Sequence, residues 1–117
     1  MNLTINGKEY TLNFGLKFIR EMDKVYTIEN KGVKLAMGVE SAMSYLSMQN
    51  PTVLYEIIKA GTAHLKGRPT GTEIENELEK IANEDKLDQL FKDIQEALEE
   101  APFLKSKIEQ FKKQAKV

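Results

Sequence analysis

A chain of 117 residues with a net charge of −1 has enough material for one domain around a single core. The absence of cysteine excludes disulfides, thiolate nucleophiles and Cys-based metal sites together. No apolar run approaches the roughly 18 residues of a membrane span, and no basic stretch followed by an apolar one marks a secretory leader. The expectation is a soluble intracellular protein that neither crosses a membrane nor is exported.

The first element in chain order is a β-hairpin. Leu3 and Ile5 alternate with Asn2, Thr4 and Asn6, and after Asn6-Gly7 the residues Tyr10, Leu12 and Phe14 alternate with Glu9, Thr11 and Asn13. Both runs have the period of two of half-buried strands. Asn-Gly suits a two-residue type I′ turn, which needs positive φ at both central positions. That turn sets Ile5 opposite Lys8 and Leu3 opposite Tyr10, so the apolar side chains share one face. Everything after this hairpin reads as helical.

Leu16, Ile19, Met22 and Tyr26, flanked by Phe18 and Val25, form a helical stripe that Asn30-Lys31-Gly32 breaks. Leu35, Val39, Ala42, Met43 and Leu46 form a second, starting near Val33 and weakened by Gly38. The third helix starts at an Asn50 cap with Pro51 in its first position, and Leu54, Ile57, Ile58, Gly61 and Leu65 carry its apolar face. Gly67-Arg68-Pro69-Thr70-Gly71 then reads as a flexible joint. Beyond it, Thr72 and Glu75 fit a capping box, and Ile74, Leu78, Ile81, Ala82, Leu87, Leu90, Phe91, Ile94, Ala97 and Leu98 continue with no marked break. Pro102 closes or restarts the helix, and Leu104, Ile108, Phe111 and Ala115 follow. The fold class is α+β, mostly α: an N-terminal β-hairpin followed by about five to six helices. The expected organisation is a single domain over 1–117, with hairpin 1–14, helical core 15–66, flexible joint 67–71 and charged C-terminal helices 72–117.

Charge is segregated along those last helices. Glu73 to Glu100 carries eleven acidic residues against three lysines, whereas Ala101 to Val117 carries five lysines against Glu109. Two readings stay open: solvated helix faces, or an acidic arm and a basic tail that attract within a protomer or head to tail between protomers.

No constellation supports catalysis. His64 stands alone at a helix end, where a solvated or structural imidazole is the ordinary case. Gly61 to Gly71, with Lys66 and Arg68, lacks the G-x-x-x-x-G-K-[ST] order of a phosphate loop and follows a helix rather than a strand. The carboxylates between Glu73 and Glu100 have no apolar pocket to separate their pKa values. Asp85, Asp88 and Asp93 do not match a calcium loop. Lys105, Lys107, Lys112, Lys113 and Lys116 form a modest basic tail without base-stacking aromatics beyond Phe111, so nucleic-acid binding is not expected. The expectation is therefore no enzyme, no cofactor and no metal.

Interaction candidates come from two other features. The hairpin, through Leu3, Ile5, Tyr10 and Leu12, presents a strand edge that can pair with a neighbour, unless its own helices cover it or Lys8 and Glu9 blunt it. Met37, Met43 and Met48, together with Met22, are adaptable side chains suited to a shallow apolar partner, or else ordinary core filling. Phe111 adds an aromatic to the basic tail.

The hairpin leading into Phe14-Gly15-Leu16-Lys17-Phe18 and Glu21-Met22-Asp23-Lys24, then Gln49-Asn50-Pro51 before an apolar helix from Val53 to Ala63, resembles a known family. It is the tail assembly chaperones of long-tailed phages and prophages of Gram-positive bacteria, over roughly the first 65 residues. The resemblance implies a non-enzymatic assembly factor of the host cytoplasm that forms homo-oligomers. Such a factor coats the tape measure protein, helps recruit tail tube subunits and is absent from the mature virion. It also implies a short form and a frameshift-extended form, and codons for Phe111-Lys112-Lys113 can make a slippery run. The alternatives are a phage regulatory protein acting on nucleic acid or mimicking it, and a structural head or tail component.

Overall fold

Asn6 and Gly7 have φ of 52° and 76°, the left-handed pair that a type I′ connection requires. In the computed structural model, which describes residues 1–115, they join β1 (Asn2–Ile5) to β2 (Lys8–Thr11). Strand partners are Leu3 with Tyr10 and Ile5 with Lys8, as the turn chemistry dictates. Lys116, and the side chain of Ala115, lie outside the described residues. Six helices follow: α1 (Leu16–Val25), α2 (Gly38–Ser47), α3 (Pro51–Gly61), α4 (Gly71–Asn83), α5 (Leu87–Glu100) and α6 (Lys105–Ala115). The fold is α+β and mostly α, with the N-terminal hairpin and helix number expected.

The chain after the first hairpin is not wholly helical. A second hairpin, β3 (Thr27–Asn30) and β4 (Val33–Ala36), stands between α1 and α2. Val25, Tyr26, Thr27 and Ile28 form a β-branched and aromatic run that favours extended backbone over a helix's last turn. Lys31 and Gly32, at φ of 51° and 79°, repeat the left-handed pair of the first turn. Asn30-Lys31-Gly32 is thus a hairpin turn rather than a simple break, and Val33 and Leu35 are strand residues rather than the start of a helix.

The α1 stripe is also rotated from its expected position. Phe14, Phe18 and Met22, spaced by four, are buried, while Leu16 and Val25 are exposed. Phe14 and Phe18 meet edge to face at 4.9 Å between ring centroids, which fixes the buried side of the helix. Gly38 does not weaken α2 so much as admit it. A Cβ there would lie 2.6 Å from Asp23 Oδ1 and 2.7 Å from the Asp23 backbone nitrogen. The Gly38 N–H donates to that same Asp23 carboxylate at 2.9 Å.

Helix α3 begins as the sequence indicates, with Asn50 Oδ1 accepting from the Thr52 N–H at 3.0 Å and Pro51 in the first turn. The cap of α4 lies two residues before the expected Thr72 and Glu75. Thr70 Oγ1 accepts from the Glu73 N–H at 3.1 Å, and Glu73 Oε1 accepts from the Thr70 N–H at 2.9 Å. Between Asn83 and Leu87 the chain turns at Asp85, φ 57°, with the Lys86 N–H donating to the Ile81 carbonyl. This is a Schellman stop, so α4 and α5 are separate helices.

The buried side chains form one cluster running from Ile5 through Met22, Leu54, Ile57, Ile74 and Ile94 to Leu104 and Ile108. The first hairpin is built into it. Its turn residue Asn6 donates from the backbone to Glu77 Oε1 at 3.2 Å and from its side chain to Glu73 Oε2 at 3.0 Å. The Asn13 N–H donates to the Gly61 carbonyl at 2.9 Å, which ties the strand exit to the end of α3.

Candidate functional site

The expected interaction residues are divided by the fold. Ile5, Tyr10, Leu12 and Met43 are enclosed in the core, as is Met22. Leu3 and Phe111 are half-buried against it, Met37 is half-buried outside that cluster, and Met48 at the end of α2 is 65% exposed. These side chains do not converge on one surface. The structure instead uncovers apolar residues that periodicity assigned to helices.

Those residues lie on the second hairpin, where every position of β3 and β4 is exposed. The register pairs Ile28 with Leu35 and Asn30 with Val33, and the Met37 N–H extends the ladder to the Tyr26 carbonyl at 2.8 Å. Alternation then puts Tyr26, Ile28, Asn30, Val33, Leu35 and Met37 on one face, apolar except for Asn30 beside the turn, and Thr27, Glu29, Lys34 and Ala36 on the other. Ile28, Val33 and Leu35 are 51%, 58% and 47% exposed. A two-stranded sheet alone is marginal in water, and among the described residues neither outer edge of this one pairs with a third strand.

Its base is firm. Tyr26 packs its ring on Tyr45 at 5.6 Å, and the Thr27 hydroxyl donates to the Asp23 carbonyl at 2.6 Å. Burial raises the Tyr26 hydroxyl above the ordinary phenol range, with Glu56 and Tyr45 adding to the effect. The hairpin therefore stands on α1 and α2 with its apolar face turned to solvent.

A second apolar feature lies at the other end of α1. The β2–α1 connection and the α5–α6 connection enclose an open groove of about 590 Å³, with Met1, Phe14 and Leu16 along one wall and Ala97, Pro102 and Phe103 along the other. Leu16 and Phe103 are 51% and 60% exposed. Glu100 is the only charged side chain among the described lining residues.

Some of the charges elsewhere are paired within the fold. Lys107 pairs with Glu40 at 3.0 Å, and Lys112 pairs with Glu99. The basic tail thus meets acidic residues of its own chain, α5 included. Glu21 takes Lys24 at 3.0 Å and Lys17 at 3.1 Å, and these hold its carboxyl below the usual range. Glu73 is held low first by the Thr70 backbone N–H and then by Asn6. His64 is exposed. Among the described residues no group of three or more His, Cys, Asp and Glu side chains is arranged to hold a metal ion.

The sequence profile of the family described as "Phage tail assembly chaperone protein, TAC" matches residues 2–113. The chain belongs to the phage tail assembly chaperone family. Searches against curated proteins and against solved structures returned no significant match. The family match runs through both hairpins and into α6, so the uncovered hairpin and the charged helices lie within the region that defines family membership. A role in phage tail assembly follows from it. No helix among the described residues is long and apolar enough to cross a membrane.

Sequence reasoning missed Ile28, Val33 and Leu35. The available signal was Lys31-Gly32 between two runs of period two, Tyr26-Ile28-Asn30 and Val33-Leu35-Met37.

Proposed function

We propose that this chaperone self-associates, covers the tape measure protein before the tail tube forms, and helps bring tube subunits to it. It does so in the host cytoplasm and leaves before the virion is complete. The observation that carries this reading is the family match over residues 2–113. The uncovered apolar face of β3–β4 and the groove at Leu16 and Phe103 support it, because a protein that shields another chain needs apolar surface that its own core does not consume.

Co-expression tests it. The tape measure protein of the same phage should stay soluble and be retained on an affinity-tagged copy of this chain. Loss of the tape measure protein to the pellet, with none retained at low or moderate salt, contradicts the reading. Nucleic-acid binding is less well supported, because Lys107 and Lys112 are paired within the chain. A salt-dependent mobility shift with DNA or RNA would reverse that order.

A further inference from the structure

We propose that the β3–β4 hairpin of one copy inserts its apolar face into the Leu16–Phe103 groove of a second copy, so that the chaperone assembles head to tail. The proposal deepens the self-association just described by naming both halves of the contact. Three observations converge on a second copy as the occupant.

The first is placement. Leu16 opens α1 and Val25 closes it just before the hairpin, so groove and hairpin flank opposite ends of a helix of ten residues, about 15 Å long. An apolar ridge at one end and an apolar groove at the other form a heterologous pair, which repeats along a line or closes into a ring. The second is charge. Lys31 occupies the hairpin tip and Glu100 the groove, and among the described residues neither is ion-paired within the chain. The third is what the main alternative leaves undone. Edge-to-edge pairing of two β3–β4 hairpins would satisfy their outer backbone groups yet leave Ile28, Val33 and Leu35 of both copies in water. Insertion covers that face, and covers Leu16 and Phe103 with it.

Sedimentation velocity of the full chain, from micromolar to millimolar concentration, tests the contact. The wild type should gain mass with concentration, continuously for an open line or up to a fixed mass above the dimer for a closed ring. Val33→Asp in the hairpin and Phe103→Asp in the groove should each weaken association by roughly tenfold or more, since each puts a charge into an apolar contact. Both positions are exposed, and unchanged far-UV circular dichroism and melting will show that each variant folds. Leu35→Thr, which removes apolar surface but puts a β-branched residue suited to a strand at that position, should give a smaller shift of the same sign. The decisive sample is the equimolar mixture of Val33→Asp and Phe103→Asp. One has an intact groove and the other an intact hairpin, so the mixture should form a one-to-one heterodimer that grows no further. A mixture that stays monomeric overturns the proposal, as does a wild type that stays monomeric or stops at a closed dimer. Tape measure retention by the same variants is read separately, so a failed head-to-tail contact and a failed chaperone reading give different results.

Discussion

The two hairpins of this protein have nearly the same design and opposite surroundings. Each joins a pair of four-residue strands through two residues of positive φ, Asn6-Gly7 in one and Lys31-Gly32 in the other. Each puts its apolar side chains on one face by strict alternation. The face of the first lies in the core and its turn is tied to α4 by Asn6, whereas the face of the second meets solvent. Turn chemistry and alternation thus decide that a hairpin forms. Whether its apolar face holds the fold together or remains for another chain is decided by the helices packed around it.

Substitution should separate the two faces sharply. Ile5→Ala removes a fully enclosed side chain and should cost about 2–5 kcal/mol in urea denaturation, whereas Val33→Ala, at an exposed position, should stay within about 0.5 kcal/mol. Comparable losses at both positions would mean that the second hairpin is packed within its own chain.

Gly38→Ala acts at the foot of the second hairpin, where the new Cβ would press on Asp23 and the Met22 carbonyl carbon. Backbone atoms cannot swing aside, so α1 and α2 must part, at about 1–3 kcal/mol read from the thermal midpoint. Thr70→Ala tests the support of the first hairpin through α4. It should cost about 1 kcal/mol, while Thr72→Ala stays within about 0.5 kcal/mol.

Acid should loosen the same support. The folded-state pKa of Glu73 lies below its unfolded value, so its contribution is complete above the unfolded pKa and is lost as pH falls through the folded one. Glu21 has the same sign, through Lys24 and Lys17. Glu73→Gln should flatten the acid limb of a melting-temperature profile below about pH 5 without changing the neutral-to-basic limb. The smallest effect is expected at the second turn. Lys31→Asn supplies a residue that adopts positive φ more readily and should stabilise β3–β4 by roughly a few tenths of a kcal/mol, visible as slower amide exchange in that hairpin alone.

The legible parts of this fold were those with local chemical causes. Asn6-Gly7 announces its turn because both residues accept left-handed backbone, and Asn50-Pro51 announces its helix for equally local reasons. Lys31-Gly32 hid because lysine is a weak marker of positive φ, and because Tyr26 falls four residues after Met22 and so mimics one more helical turn. Thr70 and Thr72 each stand three residues before a glutamate, and nothing in that spacing shows which one takes extended backbone. The rotation of α1 was set by the pairing of Phe14 with Phe18, a contact between a loop and a helix that periodicity within one helix does not contain. Gly38 looked like a defect because its purpose is a close crossing with α1, a tertiary fact.

The proposed interaction surface was the least legible part, for a physical reason. A strand whose apolar face is buried in its own core and one whose face awaits a partner have the same alternation. Ile5 and Ile28 therefore look alike in sequence and differ only in what is packed over them.

Hydrogen–deuterium exchange of the full chain, dilute and concentrated, tests the division between the two hairpins most directly. Amides of β1–β2 should be protected at both concentrations. Amides of β3–β4 and of the segments around Leu16 and Phe103 should exchange quickly when dilute and gain protection together when concentrated. Protection gained by β1–β2 instead, or exchange in β3–β4 that ignores concentration, would contradict it.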